Sequence, residues 1–460
     1  MYYDSATEAY QQERYFKAEE MSLAAVEEAE RAGNQDYLSI SLERLALIHS
    51  CQGKHEKAET LYRQVLDIRE QTLGPSDPSI ARCLKNVALV CYCQRKYEEA
   101  EPLFLRSMTI MENSQGTDQI EISRVLIHLS KIAKNLGQCE KAEPLLQRSL
   151  AIAEKALGTE HSDVLSILNR LAEVYRLQGK YDVAVPLLER SLAITGKNLG
   201  PNHPDAATIL INLALCYTIQ GRYTEAGSLY EQALSMLEKA HGYDNPYVAE
   251  ILCNLARVYQ KQGKYSKTIP LLKRSLEIKE TVSGSNDLAV ASTLHLLADS
   301  YRREGQNERA ERLYRRSLLI CEMHPNADKM DIRKTCRNLA RCCYEQKNYD
   351  EAEKQYRRYI TIVEESIESG GPDADVTIEN LAAGLNDLAL VLCRQGESGE
   401  AEQCYQRCLI LTEQALGPNH PEVATSLENY SFLLRSLRRT EEAAELERRA
   451  KTVRDNWDQQ

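Results

Sequence analysis

The chain has 460 residues, 27% of them charged, and its 68 acidic side chains outnumber 57 basic ones to leave a net charge of -11. With only 21 glycines and 13 prolines and a mean hydropathy of -0.47, the composition excludes collagen-like, disordered and membrane-embedded classes. The longest nearly apolar run, Ile209 to Ile219, is too short to span a bilayer, and Met1 to Lys17 carries Asp4, Glu8 and Glu13 where an export signal needs an apolar core, so a cytoplasmic location is expected.

One alanine organises everything that follows. It stands after a basic, tyrosine-rich turn and recurs every 42 residues as Ala58, Ala100, Ala142, Ala184 and Ala226, is replaced by Thr268, and returns at Ala310 and Ala352. Ala18 precedes this series by 40 residues, and Ala401 and Ala443 follow with one spacing of 49. Self-similarity at such a period predicts a stack of like units, here a single continuous array of about eleven helical hairpins over residues 1–460.

In chain order, residues 1–37 read as an irregular N-terminal cap with a short leading helix near Tyr2 to Gln11. Residues 38–366 hold the regular repeats. In the stretch Asp163 to Gly179, Val164, Ile167, Leu168, Leu171, Ala172, Val174 and Tyr175 follow helical spacing, and Gly179 supplies the stop. A second helix runs from Tyr181 through Ala184, Leu187, Leu188, Leu192 and Ile194 to Leu199, where Gly200, Pro201 and Pro204 interrupt it. Asp77 before Pro78 and Asn245 before Pro246 place a capping acceptor ahead of a residue with no amide donor; His161, His203 and His420 take the same place. Pro102, Pro144, Pro186 and Pro270 fall early enough in the second helices to cost little more than a slight bend.

Residues 367–440 hold a repeat with seven extra residues and the first helix after it; the extra ones lie around Glu368 to Asp375. The glycines and proline there suggest a longer loop, which either reorients the last two repeats or is a tolerated surface insertion. Residues 441–460 read as a C-terminal capping helix and polar tail with the lone tryptophan, Trp457.

Counting back from the marker alanine, a small residue recurs twelve places earlier (Ala46, Ala88, Ser130, Ala172, Ala214, Ala256, Ala298, Ala340, Ala389, Ser431) and a leucine four places before that in nine of ten copies. Tyr175, Tyr217, Tyr259 and Tyr301 fill a slot three beyond it. This pattern resembles the tetratricopeptide repeat. The 42-residue period and phrases such as Gln178-Gly179-Lys180-Tyr181 and Leu199-Gly200-Pro201-Asn202-His203-Pro204 are similar to the kinesin-light-chain type. The resemblance implies an all-α, right-handed superhelical solenoid of stacked antiparallel hairpins, acting as an adaptor whose first helices line a concave groove for peptides. Kinesin light chains also carry a heptad segment ahead of their repeats; here the repeats begin within the first residues, so no motor connection is expected.

The twelve slots from eighteen to seven places before the marker alanine test each first helix for sidedness. Over ten copies, all 17 Lys and Arg and all 7 Asp and Glu fall in six slots that share one helical face. Setting aside cations at helix C-termini, whose charge the backbone dipole already favours, the surplus gathers at two places. Arg82, Lys85, Arg124, Lys131 and Arg170 form one; Lys334, Arg337 and Arg341 form the other. An asparagine two places before the small residue recurs at Asn86, Asn212, Asn254, Asn338 and Asn429, offering the donor and acceptor that an extended peptide backbone needs. The resemblance assigns this slot to contact with the bound main chain. The expected ligand is therefore an acidic segment of a partner protein.

Other chemistry finds little support. The 14 cysteines are scattered through the repeat and read as packing thiols; Cys404 and Cys408 lie one turn apart with no histidine at a ligand spacing, so no metal and no cofactor are expected. No triad, phosphate loop or dinucleotide motif occurs, which argues against an enzyme. Single-stranded RNA is the alternative ligand for a helical repeat with a basic row, opposed by the net acidity, and a purely structural or oligomeric scaffold is a third reading.

Overall fold

In a computed structural model of the chain, the described residues are 2–458 except 115, 117, 201, 202 and 370–373, with side chains described from residue 15 to 457 outside those gaps and 374–377. They form 21 helices and no strand, in two compact units that meet in sequence at Gln220 and Gly221. In the first unit α1 (Tyr2–Ala32) precedes the hairpins α2/α3 (Gln35–Cys51, His55–Leu73), α4/α5 (Pro78–Cys93, Tyr97–Asn113), α6/α7 (Gln119–Asn135, Cys139–Leu157) and α8/α9 (Ser162–Leu177, Tyr181–Leu199), then α10 (Pro204–Ile219). The second unit begins with α11 (Tyr223–His241). The hairpins α12/α13 (Pro246–Lys261, Tyr265–Ser283), α14/α15 (Leu288–Arg303, Asn307–Met323), α16/α17 (Lys329–Glu345, Tyr349–Glu368), α18/α19 (Ala374–Gln395, Ser398–Leu416) and α20/α21 (Pro421–Ser436, Thr440–Asp458) follow. Each unit is a helical solenoid in which every pair packs on the next.

The starts and stops follow the chemistry read from the sequence. Asp77 and Asn245 accept from the amides of Ser79 and Tyr247 at 2.8 and 2.9 Å. The Nδ1 atoms of His161, His203 and His420 accept likewise from Asp163, Asp205 and Glu422 at 3.1 to 3.3 Å, so helix capping accounts for these histidines. Inside the hairpins the turn passes through left-handed backbone, as at Gly179 (φ 75°), but Arg95, Lys347 and Arg438 hold that geometry with φ of 61° to 64°.

The apolar slots close the stack. Along α8, Val164, Ile167, Leu168, Leu171, Ala172, Val174 and Tyr175 are all buried, and the marker alanines from Ala58 to Ala443 are fully covered. Thr268 is equally buried, its hydroxyl returned to the Lys264 carbonyl at 3.1 Å. A buried serine seven places after the marker pins the two helices of a hairpin together: Ser107, Ser275 and Ser317 donate to the carbonyls of Ala81, Ala249 and Ala291 at 2.6 to 2.8 Å. Successive second helices are tied by arginine and glutamate 36 residues apart, as in Arg106–Glu70 (2.6 Å), Arg190–Glu154 (2.7 Å) and Arg316–Glu280 (2.5 Å). Half exposed, such pairs contribute only tenths of a kcal/mol each and matter as a repeated register.

Three places differ from the sequence expectation. The N-terminal copy is no hairpin: α1 runs 31 residues without a turn, with Ala18 inside it, because Gln11 to Lys17 contains none of the glycine that breaks the other copies. The C-terminal tail is helical through Asp458, and Trp457 packs edge-on against His420 at 5.2 Å. The insertion is largely absorbed by longer α17 and α18, of 20 and 22 residues; Gly370, Gly371, Pro372 and Asp373 lie outside the described residues. Contacts between repeats continue across it, through Arg407–Glu364 at 2.6 Å, Arg357–Glu400 at 2.7 Å and the Tyr359 hydroxyl donating to the Asn380 carbonyl at 2.9 Å.

Candidate functional site

Burial of one side of each first helix leaves the charged slots together on the other. The asparagine slot has a specific neighbour: Asn86 donates to Glu43 (3.4 Å), Asn429 to Asn386 (2.8 Å), and the Asn338 amide meets the His295 ring at 3.5 Å, each across a separation of 43 residues. Within each unit, adjacent first helices thus meet at this slot, the asparagine of one facing a polar residue of the helix before it: Glu43, His295 or Asn386. Asn212 in the first unit and Asn254 in the second are half-buried and have no hydrogen-bond partner among the described residues.

The structure sorts the first basic group into paired and unpaired cations. Arg82 reaches Glu43 at 3.4 Å, while Lys85 and Arg124 both bind Glu121, at 2.5 and 2.6 Å. Glu121 is held below the usual carboxylate range chiefly by the Lys85 hydrogen bond. Lys131 on α6 and Arg170 on α8 are half-buried and have no acidic partner among the described residues. Between them and Lys85 sits His128, stacked on Phe104 at 5.3 Å and edge-on to Tyr92 at 6.3 Å. Burial, then the charges of Lys131, Arg170 and Lys85, push its pKa down to about 4.

In the second group Arg337 is already engaged: it pairs with Asp387 at 3.0 Å and lies over the Tyr359 ring at 5.6 Å, with 29% of its side chain exposed. Lys334 and Arg341 are exposed and unpaired among the described residues. Lys334 borders a cleft of about 520 Å³ between α14 and α16, which also takes in Arg257, Ser292, His295, Asp331 and Thr335. His295 spends both ring nitrogens there, Nδ1 against the Thr335 hydroxyl at 2.9 Å and Nε2 against Asn338. Sequence reasoning missed this residue, although it occupies the slot of Lys85 and Arg337 one helix away. Asp331 beside Lys334 makes the cleft mixed in charge rather than basic.

All 14 cysteines are free thiols, and burial raises those of Cys404 (to about 11) and Cys408. Glu59, Cys91 and Glu99 approach within 4.8 Å of one another, but Arg63 and Lys96 already occupy the carboxylates, at 2.8 to 3.0 Å. Burial raises the Glu59 carboxyl, and the hydrogen bonds of Lys96, Arg63 and Gln94 outweigh it to hold the pKa near 2. A cation has no reason to displace them.

Among solved structures, a putative kinesin light chain from Podospora anserina with nearly identical TPR-like repeats is 28% identical, covering 45% of this chain and 97% of that one with a TM-score of 0.41. The apo form of the quorum sensor NprR from B. thuringiensis is 16% identical over 84% of this chain and 99% of that one, with a TM-score of 0.53, a likeness of fold alone. No curated protein sequence matches the chain. The family model of the tetratricopeptide repeat matches residues 1–71, 37–113, 79–155, 121–197, 163–239, 205–281, 282–365 and 380–456. With that match spanning nearly all of the chain, and with hairpins packed in register throughout each unit, the protein belongs to the tetratricopeptide repeat family.

Proposed function

We propose that this protein is a non-enzymatic interaction scaffold that takes up extended, acidic peptide segments of partner proteins along the polar face of its first helices. The observation that carries the reading is the asparagine slot: Asn86, Asn338 and Asn429 each reach a polar side chain of the preceding first helix, while Asn212 in the first unit and Asn254 in the second each keep both amide donors and the acceptor unspent. An unspent amide of that kind matches a peptide main chain whatever its sequence. The unpaired cations Lys131, Arg170, Lys334 and Arg341 add a preference for acidic side chains. Arg82, Lys85 and Arg124 in the first site, and Arg337 in the second, reach the ligand only by exchanging a carboxylate they already hold.

The test is an array of twelve-residue peptides of acidic, neutral and basic composition, probed with the wild-type chain and with an Asn212→Ala/Asn254→Ala variant. Acidic peptides should bind best, and the variant should lose about tenfold in affinity, roughly 0.5–1.5 kcal/mol for each amide. Equal binding by both proteins, or a preference for basic peptides, defeats the reading.

A further inference from the structure

We propose that His128, Lys131 and Arg170 form an anion subsite for a phosphorylated side chain of the bound segment. The inference rests on the peptide-binding reading and gives that ligand its anchor.

The cations around this cluster already hold carboxylates. Lys85 and Arg124 share Glu121, and Lys134 takes Glu173 at 3.1 Å, leaving Lys131 and Arg170 without a carboxylate among the described residues. Burial, followed by the charges of Arg170 and Lys134, lowers the pKa of the Lys131 ammonium, so the positive charges are crowded against one another. Two buried nitrogens in the same cluster, Nδ1 of His128 and Nε of Arg170, have no hydrogen-bond partner among the described residues. Each such orphan costs about 1–3 kcal/mol if it stays empty, and a folded chain seldom leaves two together without a group to fill them.

The count and geometry favour a phosphoryl group over a carboxylate. A phosphate monoester carries about -1.5 to -2 charges on three terminal oxygens, matching two uncompensated cations and offering an acceptor for each of three side chains. A carboxylate brings one charge and two oxygens. A neutral His128 ring donates from one nitrogen only; protonated, both nitrogens donate and the ring adds a third positive charge. The ring faces Lys85 and Tyr92 of α4, Phe104 of α5, Lys131 of its own helix and Arg170 of α8; burial first, and then the cations among these, hold its pKa down. A bound dianion reverses the sign of that field, so the imidazole takes up a proton as the anion enters.

The probes are N-acetyl-O-phosphoserine methylamide and, as carboxylate control, N-acetylglutamate methylamide, added to the full-length chain at constant ionic strength. The readout is the NMR titration of the His128 ring, assigned by its loss in His128→Asn. Saturable binding of the phosphorylated probe with a rise of a pH unit or more in the His128 midpoint supports the subsite. So does a tenfold or greater loss of affinity in both Lys131→Met and Arg170→Met, variants that remove charge without a buried replacement. An equal response to the glutamate probe, no response beyond that to chloride, or a response the two variants leave intact overturns it. Peptides that bind with the same affinity phosphorylated or not would defeat the subsite alone; failure of both forms to bind would defeat the peptide-binding reading instead.

Discussion

Replacing Arg95, Lys347 and Arg438 by glycine should stabilise the protein. These residues close the hairpins α4/α5, α16/α17 and α20/α21 with φ of 61°, 64° and 62°, where most copies have glycine. For an L-residue with a Cβ that conformation costs roughly 1–2 kcal/mol, and glycine gives back about 0.5–1 kcal/mol through its freer unfolded chain, leaving a net gain of about 0.5–1 kcal/mol per site. All three side chains are exposed and have no ion pair among the described residues, so little is lost on removing them. The sites are far apart in sequence and share no partner, so the gains should add. In units of about this size 1 kcal/mol corresponds to roughly 2–4 °C in melting temperature. Calorimetry of each single variant should show a rise of that order, and the two changes in the second unit should together give about twice the shift of either. Gly179→Ala is the control: an added Cβ would meet nothing within 4 Å, so the expected loss of about 1 kcal/mol is purely conformational. A neutral Gly179→Ala together with a destabilising Arg95→Gly would refute the claim that left-handed geometry governs these turns.

Acidification should weaken the first unit through His128. Its folded pKa of about 4 lies below the ordinary 6.5, so the unfolded chain binds a proton first; its stabilising contribution is complete above pH 6.5 and is lost as the pH falls through 4. Allowing for partial exposure, urea midpoints should show a loss of about 1–2 kcal/mol between pH 7.5 and 5 that His128→Gln largely abolishes, and an unchanged slope in that variant would count against it. Arg337→Met should cost about 2–3 kcal/mol in amide exchange of α16 and α18, because Asp387, with 22% of its side chain exposed, is left unpaired. Adding Asp387→Asn should restore part of that loss, whereas equal exchange in wild type and single variant would reduce the ion pair to a surface contact.

The fold was open to reading because each slot is repeated often enough for its chemistry to show. The buried face of α8 and the histidine caps were visible in the spacing itself. The charge balance was harder, since it depends on which carboxylate each cation meets in space, and those partners are distant in sequence or lie before the first-helix slots. Glu121, just before the counted slots of its own repeat, neutralises Lys85 and Arg124, and Asp387, 50 residues along the chain, takes Arg337. What looked like two basic groups therefore contracts to Lys131 and Arg170 in one unit and Lys334 and Arg341 in the other. The Arg106–Glu70 type of tie recurs along the second helices at Arg148–Glu112, Arg190–Glu154, Arg274–Glu238 and Arg316–Glu280, with Gln232 interrupting the series, and is legible in the spacing of the second helices. The uninterrupted α1 shows the opposite limit: a marker residue at the right spacing makes no hairpin where the chain has no breaker.

The central claim is that the polar face of the first helices receives the ligand, and lysine footprinting tests it most directly. The chain is labelled with acetic anhydride in the presence and absence of the tightest acidic peptide from the array, and modified lysines are quantified by mass spectrometry. Protection of Lys131 and Lys334, with Lys197 and Lys451 on second helices unchanged, is the predicted result. Protection confined to those second-helix lysines, with Lys131 and Lys334 still reactive, would contradict it.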